Sequence, residues 1–144
     1  FIEFSGAEKL SLINLITLPS LGDERGGLVA LEGKGVIPFE IKRVYYIFDT
    51  QNVPRGFHAH KALTQLAICL KGSCTMLLDD GLSRENVLLD SPLQGILIPK
   101  MVWREMHDFS YDCVLLVLAS ECYDESDYIR DYEQFKGLVN YEKK

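Results

Sequence analysis

The chain has 144 residues, 15 Lys and Arg against 21 Asp and Glu for a formal net charge of −6, and 47% hydrophobic residues. That length and apolar content suit one domain with a packed core and exclude disorder as the main state. The acidic balance, with no basic run longer than two residues, excludes a nucleic-acid binder, and no apolar stretch approaches the roughly 20 residues of a membrane-spanning helix.

In chain order, Phe1–Leu10 carries neither a basic leader nor a small-residue cleavage site, so a secretion signal is not expected. Leu10–Leu18 reads as an N-terminal strand. Arg43–Phe48 is rich in β-branched and aromatic residues, and Leu66–Leu70, Thr75–Leu78, Val87–Leu89, Gly95–Ile98 and Cys113–Leu118 follow the same style. Turn signals separate them: Lys71-Gly72-Ser73, Asp79-Asp80-Gly81 and Asp90-Ser91-Pro92. The Asp-Gly turn predicts a hairpin between Met76–Leu78 and Val87–Leu89. Short strands at this spacing, with no helical pattern between them, predict an all-β antiparallel sandwich or barrel and argue against βαβ units. At the C-terminal end Tyr128, Ile129, Tyr132, Phe135 and Val139 recur at helical spacing behind Asp124, Glu125 and Asp127. This predicts one amphipathic helix over Ser126 to about Tyr141, its aromatic stripe packed on the barrel. Cys69, Cys74, Cys113 and Cys122 form no C-x-x-C pair, and Cys69 and Cys113 sit in apolar runs. They read as buried free thiols in a reducing, cytoplasmic compartment.

The candidate chemistry lies in Gly56-Phe57-His58-Ala59-His60. Residues i and i+2 of a strand share a face, so His58 and His60 point the same way, into the barrel or out to solvent. Of the consecutive Tyr45 and Tyr46, one faces the interior. Imidazole titrates near neutrality and suits acid–base work, while a pair of histidines held only by solvent or core contacts is the plainer alternative.

The spacing His58-x-His60-x4-Gln65-x6-Gly72, followed by Pro99-Lys100-Met101-Val102-Trp103-Arg104, resembles the two motifs of the cupin superfamily. The resemblance implies a cupin-type antiparallel barrel or jelly roll with a short C-terminal helix. The ligand chemistry departs from the pattern: Gln65 stands where the acidic ligand is expected and Arg104 where the third histidine is expected. A neutral amide and a guanidinium do not offset the dehydration of a cation, so no metal is expected.

Longer strings bring the match closer. Pro38-Phe39-Glu40-Ile41-Lys42-Arg43-Val44-Tyr45-Tyr46-Ile47, Arg55-Gly56-Phe57-His58-Ala59-His60-Lys61, Trp103-Arg104-Glu105-Met106, Asp108-Phe109 and Tyr123-Asp124-Glu125-Ser126-Asp127-Tyr128-Ile129-Arg130 resemble the dTDP-sugar 3,4-ketoisomerases, over about Leu12 to Phe135. The resemblance implies an enzyme that moves the ketone of dTDP-4-keto-6-deoxy-D-glucose from C4 to C3 through an enediolate, without metal or organic cofactor. Its product would feed 3-amino-3,6-dideoxy sugar synthesis for surface polysaccharides. His58 matches the family's base, and His60 and Tyr45 the groups beside the sugar. Arg25, Arg43, Arg55, Gln65 and Arg104 are the expected substrate-binding residues, with Arg25 and Arg104 at the sugar end. The resemblance also implies a homodimer. Two other readings stay open at this level: a non-catalytic cupin that binds a sugar nucleotide, and a dTDP-sugar 3,5-epimerase-like enzyme that leaves the ketone at C4.

Overall fold

The computed structural model describes residues 11–142, and the side chains of residues 11–140. Two five-stranded antiparallel sheets face each other. The strands are β1 (Leu15–Thr17), β2 (Arg43–Ile47), β3 (Arg55–His60), β4 (Gln65–Lys71), β5 (Cys74–Asp79), β6 (Arg84–Leu89), β7 (Gln94–Ile98), β8 (Trp103–His107), β9 (Val114–Ala119) and β10 (Tyr128–Ile129). One sheet has the order β1-β7-β4-β9-β2 and the other β10-β3-β8-β5-β6. The all-β antiparallel fold expected from the sequence is present, and β5 and β6 form the expected hairpin, with Met76 opposite Val87. Of the predicted N-terminal strand only Leu15–Thr17 pairs, with β7, and Leu10 lies outside the described residues.

The alternation of side chains explains the layers. β4 lies at the centre of its sheet and is buried on both faces, which is why it reads as a continuous apolar run. Its Ala67 and Cys69 join Met76, Leu78, Ile96, Ile98 and Val117 in the core between the sheets. Leu66 and Ile68 point the other way and are covered by Leu18, Ile37 and Phe39. On the second sheet, Ala59 and Trp103 are covered by Ile129, Phe135 and Val139.

The C-terminal helix begins later than its periodicity suggested. Glu125–Asp127 form a single 3-10 turn, Tyr128–Ile129 are strand β10 paired with His60 and Ala59, and helix α1 spans Tyr132–Glu142. The expected start at Ser126 is therefore corrected. Asp131 supplies the reason: its Oδ1 accepts from the backbone N–H groups of Glu133 at 2.8 Å and Gln134 at 3.1 Å, an N-cap that sets the first helical residue at Tyr132. Ile129, Phe135 and Val139 are core contacts as expected, but Tyr128 and Ile129 belong to the sheet rather than the helix.

Phe135 is fully buried, with its ring 5.8 Å from that of Trp103. Phe135→Ala is expected to lower folding stability by about 3–5 kcal/mol, measured by urea denaturation, because removing a fully buried ring leaves a cavity between the helix and the sheet.

Candidate active site

The two histidines lie at one end of the barrel, where β3 is irregular. The register between β3 and β8 shifts between Gly56 and His58. Gly56 has φ 94°, and a Cβ there would stand 3.0 Å from the Arg104 carbonyl oxygen, so a side chain is excluded by both conformation and space. Phe57 takes φ 60°, a strained value for an aromatic residue. This bulge sets His58 opposite Arg104 in the ladder. His58 and His60 then fall on one face, as their spacing predicts, with ring centroids 4.9 Å apart.

Hydrogen bonding assigns the His58 tautomer. Nδ1 lies 3.1 Å from the Gly56 carbonyl oxygen, which only accepts, so Nδ1 carries the proton and Nε2 keeps its lone pair. Burial, followed by the nearby Arg104 charge, pushes the His58 pKa down to about 3. His60 is fully buried and pushed down to about 4, again by burial and then Arg104, against the opposing pull of Asp127. Both imidazoles are therefore neutral at physiological pH, the form in which a ring nitrogen can accept a proton.

Arg104 is also fully buried. Its Nη1 donates to Gln65 Oε1 at 2.5 Å and its Nη2 to the Val102 carbonyl at 3.1 Å. Among the described residues no hydrogen-bond partner meets its Nε and no ion pair includes it. Burial lowers its pKa to about 10, which leaves it charged at neutral pH. The Gln65 amide completes a chain by donating from Nε2 to the Tyr45 hydroxyl at 3.0 Å. Burial raises the Tyr45 pKa, so its phenol stays protonated and has an O–H to donate. Tyr45 is thus the inward residue of its pair, and Tyr46 is largely exposed.

Tyr45, His58, Gln65 and Arg104 line one small cavity with Met76 and Ile98. A larger cleft, lined by Leu18, Leu28, Ile68, Leu93 and Leu116, contains no ionisable side chain. A divalent cation does not fit the polar cavity: the acidic and third-histidine positions hold an amide and a guanidinium already bonded to each other. Among the described residues no three His, Cys, Asp or Glu side chains are placed to hold a metal.

The expected arginines divide. Arg43 borders the site, its guanidinium carbon 5.3 Å from the Tyr45 ring centroid and 5.6 Å from that of Tyr123, with its Nε buried and unpartnered. Arg25 and Arg55 do not line the cavity. Arg25 folds back on Asp23 in the loop after β1, with its Nη2 2.5 Å from Oδ2. Arg55 is exposed ahead of the bulge and lines a separate cleft with Phe48, Thr50 and Phe109. Pairing within the loop and placement before the bulge, neither visible in composition, keep both away from the histidines in this chain.

Two residues of the site went unrecognised in the sequence. Tyr128 packs against both histidines, tilted to His58 at 4.9 Å between centroids and edge-on to His60 at 4.4 Å, and Asp127 Oδ2 accepts from His60 Nδ1 at 3.0 Å. The signal that could have found them is the N-cap at Asp131, which places both residues ahead of the helix.

Comparison with known proteins gives consistent likenesses. The family described as FdtA: WxcM-like, C-terminal matches residues 11–140. A TDP-4-oxo-6-deoxy-alpha-D-glucose-3,4-oxoisomerase of Aneurinibacillus thermoaerophilus is 56% identical over 126 residues, covering 87% of this chain and 91% of that protein. A 3,4-ketoisomerase of Helicobacter canadensis is 49% identical with a TM-score of 0.86, over 89% of this chain and 97% of its own. The sugar 3,4-ketoisomerase QdtA of Thermoanaerobacterium thermosaccharolyticum, in complex with TDP, is 45% identical with a TM-score of 0.88, over 92% and 98%. A histidine-to-asparagine mutant of that enzyme is in complex with TDP-4-keto-6-deoxyglucose.

The lowered histidine pKa values imply a pH-dependent stability. The unfolded chain binds these protons near pH 6.5, whereas the folded chain resists them down to about 3 and about 4. Their contribution is complete above pH 6.5 and declines as the pH falls through that window. His58→Asn is expected to flatten the fall of unfolding free energy between pH 6.5 and 4 by about 1.4 kcal/mol per pH unit, read from urea midpoints of both proteins. An unaltered slope would show that His58 titrates normally.

Proposed function

The chain belongs to the FdtA family, described as WxcM-like, C-terminal, and on that premise we propose that it is a 3,4-ketoisomerase that moves the ketone of TDP-4-keto-6-deoxyglucose from C4 to C3. The observation that carries the reading is the pairing of a neutral imidazole with a buried cation in one cavity: His58 stands opposite Arg104 in the ladder, and both line the same space with Tyr45.

The chemistry follows from those groups. The proton on C3 is acidified by the C4 carbonyl. His58 Nε2 removes it, and the electron pair moves to O4, forming an enediolate. Arg104 holds that negative charge, an interaction stronger in the transition state than in the neutral ketone. Completion requires a proton at C4, returned from His58, and transfer of the O3 proton to O4 as C3=O forms. His60 and Tyr45 serve as relay and orienting groups. Gln65 bridges Arg104 and Tyr45 and keeps cation and phenol in fixed relation. Arg43, half-buried with an unpartnered Nε, is the candidate for the diphosphate. No step in this sequence needs a redox cofactor, because oxidation at C3 balances reduction at C4.

The expected outcome is direct. In a proton NMR time course with TDP-4-keto-6-deoxyglucose, the wild-type enzyme converts the 4-ketone into the 3-ketone, with turnover retained after EDTA treatment. His58→Asn folds and loses about 10²–10⁴-fold in kcat. His107→Asn, altered at a ring that pairs with Glu105 at 2.9 Å, keeps wild-type turnover. Proton exchange at C3 and C5 with the ketone left at C4 would identify an epimerase, and binding without turnover a non-catalytic sugar-nucleotide binder.

The same reading includes a homodimer, a cytoplasmic setting and a place in the synthesis of 3-amino-3,6-dideoxy sugars for surface polysaccharides. An aminotransferase needs a ketone at the carbon to be aminated, which is the product of this reaction. The exposed Val44, Tyr46 and Phe48 at the β2 edge of the first sheet support assembly through sheet edges. Among the described residues no helix is long and apolar enough to cross a membrane. The buried Cys69, Cys74 and Cys113 are free thiols, which suits a reducing compartment. Sedimentation at micromolar concentration is expected to give twice the chain mass, and a single-chain mass would remove the dimer.

A further inference from the structure

Asp127 fastens the 3-10 turn before β10 to the end of β3. Its backbone carbonyl accepts from the Lys61 N–H at 3.0 Å, and its Oδ1 accepts from the Ala62 N–H at 2.8 Å. Its Oδ2 accepts from His60 Nδ1 at 3.0 Å. Asp124 stabilises the turn itself, its Oδ1 accepting from the Ser126 N–H at 3.0 Å and from Ser126 Oγ at 2.7 Å. The carboxylate of Asp127 therefore cannot swing away from His60 without losing the Ala62 N–H, while the Lys61 contact holds its backbone in place.

That fixed carboxylate decides which ring nitrogen of His60 carries the proton. The groups that face His60 are His58 from β3, Arg104 from β8, Arg43 from β2, Tyr128 from β10 and Asp127 from the turn. Two are cations, and Asp127 is the anion among them. Burial, and after it the cations, keep the ring neutral, and a neutral ring has one N–H to place. With Asp127 accepting at Nδ1, the lone pair falls on Nε2, a buried atom with no hydrogen-bond partner among the described residues.

We propose that Asp127 is a positioning residue: by accepting the Nδ1–H it holds His60 in the tautomer whose Nε2 is free to take a proton. This rests on the reading of His60 as the relay in the ketone transfer. There Nε2 takes the proton of the O3 hydroxyl as the C3=O bond forms. The same proton is delivered to O4 while C4 receives the one held by His58, so His60 ends as it began.

The informative variant is Asp127→Asn. Its amide oxygen keeps an acceptor for the Ala62 N–H, so the turn stays docked. Its NH2 then faces His60 and donates to Nδ1, which drives the ring proton to Nε2, the nitrogen that must be free. Long-range 15N–1H correlation spectra of the free enzyme, with His60 assigned from a His60→Asn spectrum, read the tautomer without any substrate. The wild type is expected to show Nε2 unprotonated and Asp127→Asn to show it protonated. The kcat of the variant is expected to fall about 10–100-fold at nearly unchanged KM, as when a hydrogen bond orienting a functional histidine is removed. A wild-type spectrum with protonated Nε2 overturns the proposal, even if the variant fails to fold. So does a flipped tautomer with unchanged kcat. A fall in kcat with the wild-type tautomer retained also overturns it, because Asp127 would then act only through the docking of the turn. Wild-type turnover is the control: its absence defeats the proposed reaction, while the spectra still judge what Asp127 does to His60.

Discussion

The site is organised around a buried cation that has no ion-pair partner among the described residues. Removing a guanidinium from water is costly, and the cost is normally offset by a carboxylate. Arg104 instead has an amide oxygen and a backbone carbonyl, both neutral. Burial lowers the proton affinity of His58 and His60, and the field of Arg104 adds to it, so both rings stay neutral beside the cation. The charge also borders the cavity where, in the proposed reaction, an anion forms only during turnover. A resident carboxylate at position 65 would quench that field, whereas the Gln65 amide carries a hydrogen bond through to Tyr45 and leaves the charge intact.

Strain and burial are concentrated around this cation. The bulge at Gly56 and Phe57 brings His58 level with Arg104, and the excluded Cβ at Gly56 shows how closely the β8 backbone approaches. From the other side the tail adds β10 to the edge of the sheet beside the histidines. Tyr128 covers both imidazoles, and the Arg130 guanidinium carbon lies 4.1 Å from its ring centroid while Arg130 pairs with Glu125. The tail is held in turn by α1: the Tyr132 hydroxyl donates to buried Asp79 at 2.6 Å, and Phe135 packs on Trp103. Trp103 immediately precedes Arg104 on β8, so the helix that seals the outer face of the sheet also braces the strand that presents the cation inward.

A barrel whose histidines are spaced as for a metal carries instead, in the proposed reading, a site for proton transfer. The paired imidazoles remain. The residues at the two other ligand positions now hydrogen-bond each other, and a positive charge stands where a positive ion would have been. Either a metal ion or a guanidinium can stabilise an oxyanion, but the guanidinium is fixed by the chain.

Much of this was legible in the chain. Short β-rich runs separated by Gly, Asp and Pro gave the strands, because side chains alternate on a pleated sheet and turns need those residues. The spacing of His58 and His60 fixed a shared face, and the amide and guanidinium at positions 65 and 104 argued against a metal by their chemistry alone. Strand β8 had no clear apolar alternation, since Arg104 lies inward and Glu105 and His107 are only partly covered, and it was not read as a strand. Choosing Tyr45 over Tyr46 required knowing which face of β2 meets the core. Assigning Arg25 and Arg55 away from the cavity required the path of two loops. Asp127 and Tyr128 were hidden because their spacing fits a helix as well as it fits a turn and a strand that closes on β3. Local sequence determined what each strand buries and which ionisable groups the chain holds. Only the tertiary structure decided which of them meet, because a pKa, a tautomer and an unpaired charge are set by neighbours that lie far apart along the chain.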